Sequence, residues 1–513
     1  MKWITVEGIR EAEQVAFAQR NLPSYTAMCR AGAAVARQAE QMMVRAGMTR
    51  CVVLCGPGNN GGDGFLAARC LKEDGFDVSV CMTCVAAHLK GDAARAWKDL
   101  CSVGVQPVVL PSSDAWLDNA WADPAVSLRH ALVIDALLGI GAKGVPKGAV
   151  ATAIHWINGA GTQCPVLSID VPSGLNADTG AAQGEVVRAD ATVTFSRPKI
   201  GFASPMACTY LGDLSVVDIG IPGDVLEAYE CLPPEEVELI AEPELRHYLR
   251  PERRLDSHKR SYGHAMIIGG SQVYPHAPVL SALAAYRAGC GLVSLDVPDV
   301  SRCAAAHWVP EAIFTDPALD FVETAMKCDA IAMGPGMGSF DAVRMDMLQT
   351  LVSESTLPRT VLDADALTAL AALREEGWVA DKSTLRLILT PHPGEAARLL
   401  GITAQEVQSD RPAAARAIAS TYHAITVLKG HHTLVAEPGG CVHLCMGGNP
   451  GMATAGTGDL LTGIIAGLLA RGLGTEDAAC LGVYHHAVAG DRAAFRNGQE
   501  SLIATDLFRT LRL

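Results

Sequence analysis

Residues 51–75 read CVVLCGPGNNGGDGFLAARCLKEDG, and this stretch decides the fold. A short apolar run, Cys51 to Cys55, stops at Gly56-Pro57-Gly58-Asn59-Asn60-Gly61-Gly62-Asp63-Gly64, and a helical pattern follows over 64–75. Strand, glycine loop and helix N-terminus together make an anion site. Unpaired N–H groups and the positive end of the helix dipole face the ligand, and missing Cβ atoms let a phosphate come close. The glycines fit G-x-G-x-x-G at Gly56, Gly58 and Gly61, with Asp77 about where a ribose-binding acid falls. Alone, that pattern reads as a nicotinamide-dependent dehydrogenase. No Gly-Lys-Ser/Thr follows, which excludes a P-loop. A ligand-free turn explains the stretch less well, because five glycines with two Asn and one Asp exceed what a turn needs.

The alternation continues outward. Short apolar runs at 77–82, 131–139, 165–170, 191–195 and 214–220 read as buried strands, with helical patterns such as 91–104 between them. Strand–helix alternation predicts a parallel sheet covered on both faces. The texture breaks at 232–260, which holds four prolines and many charges. A second series of strands then starts at 264–270 and runs through 292–298, 330–336, 360–367, 385–395 and 424–430, ending in a long helix over 458–473. Two α/β domains are expected, 1–225 and 236–513.

Of 513 residues, 41 are Lys or Arg and 55 Asp or Glu, a formal charge of −14. That argues against nucleic acid or an anionic membrane as partner. With 49% hydrophobic and 19% charged residues the chain can bury two large cores, while 5% aromatics leave few platforms for stacking bases. The sixteen cysteines fall singly in apolar runs, as buried thiols do, and the one CxxC, Cys81 to Cys84, lacks the second pair a four-thiolate zinc site needs. The N-terminus has no apolar core of a signal peptide, and the longest apolar stretch, 460–470, is too short to span a bilayer. A reducing cytoplasm is the expected compartment.

Strand ends carry the chemistry. Asn59, Asn60 and Asp63 add side-chain oxygens that a dinucleotide loop does not require, suited to a hard cation or to proton handling. Asp135 precedes a second glycine loop (Gly139, Gly141, Gly144), and Asp170 and Ser173 lie in SIDVPSG. In an open parallel sheet these strand ends share one rim. In the second block, GGNPGMATAGTGD (447–459) enters an apolar helix. Gly456, Thr457 and Gly458 there form a pocket for a transferring phosphoryl group, and Asp459 is placed to take the proton of an attacking hydroxyl. Lys429 follows one strand, and His392 is fixed between two prolines after another. His431 and His432 are adjacent, and on extended chain they would point apart, which disfavours a shared metal. Asp363 and Asp365 end a further strand with no role assigned beyond the ligand rim.

GPGNNGGDG, DALLGIGAKG and SIDVPSG together resemble the YjeF N-terminal, NAD(P)H-hydrate epimerase family over roughly 1–225, a Rossmann-like fold. The resemblance implies that Asn59, Asn60, Gly61, Gly62 and Asp63, with Gly139, Ile140, Gly141, Ala142, Lys143, Gly144 and Val145, hold the hydrated dinucleotide. It further implies that Asp170 contacts it as acid/base group, and that Asn60, Asp135 and Ser173 bind K+. Ile140 stands where members commonly have Thr. GGSQVYPHAPVLSALAAYRAGCGLV, MGPGMG, LDADAL, TPHPGE, KGHHT and GNPGMATAGTGD, in order, resemble the ADP/ATP-dependent NAD(P)H-hydrate dehydratases of the ribokinase-like superfamily over 236–513. That implies Ala277, Gly336, His392 and Asp459 at the hydrated nicotinamide, Asp459 as base, and Lys429, Gly430, His431, His432, Thr433 and Gly458 at the nucleotide. ADP, or ATP, with Mg2+ would be the phosphoryl donor. Here Pro275-His276-Ala277 replaces the usual Gly before Ala.

The two resemblances concern one damaged cofactor. NADH or NADPH hydrated at C6 exists as R and S epimers; one block would interconvert them and the other would dehydrate the S form. A homo-oligomer acting only on small molecules is expected. Competing readings are a small-molecule kinase of the hydroxyethylthiazole or hydroxymethylpyrimidine type, which leaves the first block unexplained, a dinucleotide-sensing scaffold, and a simple dehydrogenase.

Overall fold

The computed structural model describes the chain except residues 111–129, 143, 161–163, 205, 234–235, 242–254, 317, 384 and 512–513. Lys143 and much of the proline-rich stretch lie outside the described residues. Two compact units emerge, Met1–Glu235 and Glu236–Leu513.

The first unit begins with β1 (Trp3–Ile4) and continues with β2 (Arg50–Cys55), β3 (Asp77–Met82), β4 (Val108–Val109), β5 (Leu132–Ala136), β6 (Val166–Ile169), β7 (Ala191–Phe195), β8 (Asp213–Val217) and β9 (Glu230–Cys231). Seven form one sheet in the order β4-β3-β2-β5-β6-β7-β8, all neighbours parallel. Alternate residues of β2 serve opposite faces. Cys51, Val53 and Cys55 join a core with the helices Val6–Gln19, Ser24–Ala46 and Asn59–Glu73, whereas Val52 and Leu54 pack with Ile154 and Ile157 of the helix Ala149–Ala160. That is the expected three-layer arrangement, and it explains why the strands read as unbroken apolar runs.

The second unit holds β10 (Val237–Leu239), β11 (His264–Ile268), β12 (Leu292–Asp296), β13 (Ile313–Phe314), β14 (Ala330–Met333), β15 (Arg359–Leu362), β16 (Leu387–Leu389), β17 (Ile425–Leu428), β18 (Leu434–Ala436) and β19 (Val442–Leu444). Their order is β10-β19-β18-β17-β16-β15-β14-β11-β12-β13. Here the expectation of a wholly parallel sheet needs correction, because β18 runs antiparallel to both β17 and β19. KGHHT and EPGG are short connections, and such loops join antiparallel strands; a parallel pair needs a crossover. One face packs on the helices Ala277–Arg287, Thr457–Ala470 and Thr475–Asn497. Gly463 lets two of these touch, since a Cβ there would lie 2.1 Å from the Ser281 carbonyl oxygen.

Both sheets reverse winding direction once. In the first, the chain leaves β2 for β3 and β4, then returns to β5 on the other side; in the second, it leaves β11 for β12 and β13, then returns to β14. A crevice opens at the carboxyl ends of the strands flanking such a reversal. At the first reversal Gly56 meets the β5 loop so closely that a Cβ would sit 1.9 Å from the Leu137 carbonyl oxygen. At the second, a Cβ on Gly269 would sit 2.5 Å from the Pro335 carbonyl oxygen, which also accepts a hydrogen bond from Gly270 N–H at 2.9 Å. Gly56→Ala is therefore expected to lower unfolding free energy by about 1–3 kcal/mol in a denaturant titration, because backbone cannot move aside. Gly159→Ala, with nothing within 4 Å, should be neutral or stabilising in the same measurement.

Candidate active sites

The glycine loop of the first unit ends sooner than its sequence suggests. The helix runs Asn59–Glu73, so Asn59 to Asp63 occupy its first turns rather than a loop preceding residue 64. Gly61 permits this, since a Cβ there would meet the Gly56 carbonyl oxygen at 2.0 Å. Asn60 Nδ2 donates to the Leu138 carbonyl at 2.9 Å, joining the helix to the loop after β5. That loop holds Gly139 against Asn60, Ala142 N–H bonds Gly139 O at 3.1 Å, and Gly144 N–H donates to Gln183 Oε1 at 2.9 Å. Gly141 lies beside the Arg10 guanidinium, and Val145 is exposed.

Asp135 is fully buried. Ser173 Oγ donates to its Oδ1 at 2.6 Å; Ser173 N–H and Ser168 Oγ donate to Oδ2 at 2.9 Å each; Leu137 N–H lies 3.2 Å from Oδ1. Burial raises the Asp135 carboxyl and these hydrogen bonds oppose it. Ser173 Oγ also accepts from Leu138 N–H at 2.9 Å. Asn60 and Ser173 thus meet at Leu138, and Ser173 links them to Asp135. An amide oxygen, a hydroxyl, a carbonyl and a buried carboxylate make an all-oxygen donor set that fits a hard cation.

Asp170 sits at φ 62°, an uncommon backbone state for a non-glycine residue that turns the chain at the end of β6. Its Oδ1 accepts from Lys199 Nζ at 2.7 Å and from Thr194 Oγ1 at 3.1 Å. Lys199 is buried, and its ammonium also reaches Thr194 Oγ1 at 2.8 Å and the carbonyls of Phe195 and Arg197 at 3.2 Å each. Asp63 is buried near Asp170, and desolvation followed by the charges of Asp170 and Glu13 holds its carboxyl well above the ordinary range. Lys199 and Glu13 escaped the sequence reading. Lys199 offered a signal, since SRPKIG follows a strand as the other site loops do.

In the second unit, Gly456 takes φ 92° and opens the helix Thr457–Ala470, leaving Gly458 and Asp459 in its first turn. Ser281 Oγ donates to the Asp459 carbonyl at 2.8 Å, and Thr457 Oγ1 donates to Met452 and Thr454 carbonyls at 3.0 Å. Burial, then the charges of Asp363 and Asp365, lifts the Asp459 carboxyl to about 7 against the opposing pull of Lys429. The centre of this site is the unassigned Asp363. Lys429 Nζ reaches its Oδ1 at 2.7 Å, Thr390 Oγ1 the same oxygen at 2.8 Å, and Thr462 Oγ1 its Oδ2 at 2.7 Å. The ion pair holds Asp363 below and Lys429 above the ordinary range despite burial. Gly458 packs against that lysine, a Cβ there lying 3.5 Å from Nζ.

Ala277 and Gly336 are brought together, a Cβ on Gly336 falling 2.8 Å from Ala277 Cβ, and Gly338 N–H donates to Asp365 Oδ2 at 2.7 Å. His392 does more than its sequence suggested. It caps the helix Pro393–Leu400, Nδ1 accepting from Gly394 N–H at 3.0 Å, while its own N–H donates to Glu395 Oε2 at 2.8 Å. His431 and His432 do not point apart. His432 takes φ 57°, and the rings stack with centroids 3.9 Å apart. Arg411 donates to the carbonyls of His431, Leu428 and Lys429, and Thr433 Oγ1 to Gly430 O.

Each unit gathers buried carboxylates at the carboxyl ends of its strands, within a two-unit α/β protein: a Rossmann-like unit followed by a ribokinase-like one. The family profiles agree, the YjeF-related protein N-terminus matching residues 24–201 and the NAD(P)H-hydrate dehydratase family residues 265–513. The chain is 38% identical to the bifunctional NAD(P)H-hydrate repair enzyme of Coxiella burnetii, over 98% of this chain and 97% of that one. It is 36% identical to the enzyme of that name from Moorella thermoacetica, over 99% and 95%. An ADP/ATP-dependent NAD(P)H-hydrate dehydratase from Bacillus subtilis, solved with ATP/Mg2+, is 30% identical over 54% of this chain and 96% of its own, with a TM-score of 0.48. The chain belongs to the bifunctional NAD(P)H-hydrate repair enzymes.

Removing one partner of the Asp363–Lys429 pair strands a buried charge. Lys429→Met should cost about 3–5 kcal/mol of stability. Combined with Asp363→Asn it should cost less than the sum of the single changes, as a double-mutant cycle in urea would show.

Proposed function

We propose that this chain repairs NADH and NADPH hydrated at C6 of the nicotinamide ring. The first unit interconverts the R and S hydrates, and the second dehydrates the S hydrate using ADP or ATP, giving AMP and phosphate when ADP is the donor. The observation that supports this most strongly is end-to-end similarity to bifunctional relatives, with a winding reversal in each unit.

In the second unit, Ala277, Gly336 and His392 would border the nicotinamide, while Lys429 to Thr433 and Gly458 would hold the nucleotide with its Mg2+. Asp459 takes the proton of the C6 hydroxyl as that oxygen attacks the terminal phosphorus. N–H groups at the start of the helix Thr457–Ala470 receive the charge of the transferring phosphoryl group. Phosphate then leaves C6, a proton leaves C5, and the ring double bond returns. Lys429, already neutralised by Asp363, holds phosphate without leaving an unpaired cation in the empty site.

In the first unit the proposed ligand residues are Asn59 to Asp63, Gly139 to Val145 and Asp170, Lys143 lying outside the described residues. Asn60, Asp135 and Ser173 would hold K+, whose charge would offset the buried Asp135. Asp170 is the proposed acid/base group, positioned by Lys199. A reducing cytoplasm is the proposed compartment, in keeping with cysteines that fall singly in apolar runs. No helix among the described residues is long and apolar enough to cross a membrane.

The direct test mixes hydrated NADH epimers with the protein and ADP, ATP or neither, following reduced-nicotinamide absorbance. Asp459→Asn should abolish nucleotide-dependent recovery while epimer exchange survives; full residual recovery would remove Asp459 from the chemistry. Because the base must be ionised, kcat/KM for dehydration should rise with pH through about 7, the value to which burial lifts Asp459. Asp170→Ala should strand the R hydrate while the S hydrate is still repaired. Equal rescue of both, corrected for spontaneous exchange, would refute that role.

A further inference from the structure

The family match in the first unit begins at residue 24, yet the chain before it enters the site. Ile4 N–H donates to the Pro198 carbonyl at 3.0 Å, and Ile4 forms an isolated parallel bridge with Lys199. Val6 N–H donates to Asp178 Oδ1 at 2.7 Å, and Thr5 caps the helix Val6–Gln19 by accepting from Gly8 N–H. These bonds start the helix beside the lysine that holds Asp170. Ile9, Ala12 and Ala16 anchor it in the core. Arg10 and Glu13, three residues apart, lie on one side of it, and Arg10 Nη2 is 3.4 Å from where a Gly141 Cβ would be, in the proposed ligand loop. Glu13 interacts electrostatically with Asp170, Lys199 and Asp63. Two carboxyl groups, Asp170 and Glu13, therefore act on one buried ammonium, which is already bonded to Asp170, Thr194 and two carbonyl oxygens.

We propose that Glu13 is a second proton-transfer residue of the epimerase site, serving ring nitrogen N1 while Asp170 serves the C6 hydroxyl. This rests on the epimerase reading above. Asp170 takes the hydroxyl proton, the O–H pair becomes the second C6–O bond, and the C6–N1 bond breaks with its pair going to nitrogen. Glu13 supplies the proton that nitrogen then takes, giving an open-chain aldehyde and an N–H. Rotation about C5–C6 presents the other carbonyl face. Closure returns one proton to Glu13 and one to the new hydroxyl, so both carboxyl groups end as they began.

The electrostatics suit a group that gives and retakes a proton near neutrality. Burial, then the charge of Asp170, lifts the Glu13 carboxyl to about 7, against Lys199 and Arg10. Asp63, the remaining acid facing it, is raised as well, by burial and then by the charges of Asp170 and Glu13.

The test measures R-to-S exchange by the full chain against the spontaneous rate, across pH. Glu13→Gln, with its melting curve recorded, should slow exchange about 10²-fold or more and flatten the pH dependence around 7. Wild-type rate and profile in that variant would overturn the proposal. If Glu13→Gln does not fold, Glu13→Asp decides: a slower reaction with a displaced profile is expected, and an unchanged one overturns it. Exchange by the wild-type chain no faster than spontaneous would overturn the epimerase reading and this inference together. Rapid wild-type exchange with an unaffected variant overturns this inference alone.

Discussion

A carboxylate carried into the dry centre of a parallel sheet must find compensation, and both sites are built around that constraint. Three acids at strand ends solve it differently. Asp135 is held by four hydrogen bonds from hydroxyls and peptide N–H groups. Asp170 and Asp363 each take a lysine, and each lysine comes from a later strand end. Because the partners arrive from separate crossovers, none of these sites can form before its sheet is assembled. Local order in the glycine loops depends on the whole unit.

The winding reversal explains where Asp135 stands, on β5, while Asp170 and Asp363 follow β6 and β15, one strand further out. At each reversal two neighbouring strands send their connections away from each other, so their carboxyl ends leave a gap that backbone alone borders. Gly56 against Leu137, and Gly269 against Pro335, show how tightly that border closes. A side chain at either glycine would push the two lips apart. The same winding recurs in both sheets, three strands to one side and the following ones to the other, which is why one glycine-and-acid vocabulary appears twice in the chain.

Most strands were legible because a buried parallel strand must be short, apolar and stopped by a turn. CVVLC, ATVTF and HAMII leave little other choice. The acids at their ends were legible for the same reason, a charge after an apolar run being conspicuous. What stayed hidden depended on distance in sequence. Lys199 is 29 residues from Asp170, and Lys429 is 66 from Asp363. Pairing at that range leaves no local pattern, so Lys429 read as a phosphate contact and Asp363 as a bystander. The antiparallel β18 and the stacked His431–His432 pair were misjudged because both turn on the loop at 429–433, where His432 takes a positive φ. Glu13 sat in an ordinary amphipathic helix, with nothing in its neighbours to separate it from a solvated surface acid.

A net charge of −14 and polyanionic ligands look incompatible if binding relies on cationic surface. The geometry removes the conflict. Backbone N–H groups at the helix starts Asn59 and Thr457 supply partial positive charge without a titratable side chain. Buried Lys199 and half-buried Lys429 are each paired with an acid in the protein alone. An acidic environment also has a positive use here, because crowded carboxyl groups raise one another. Burial lifts Asp459 and Glu13 to about 7, with the charges of Asp363 and Asp365 adding to the first and that of Asp170 to the second. An arginine-lined phosphate pocket would do the opposite, pinning every nearby acid in its ionised form and leaving none able to exchange a proton near neutrality. Backbone N–H groups, with a lysine that an acid already neutralises, would therefore let these acids keep titrating beside a bound phosphate.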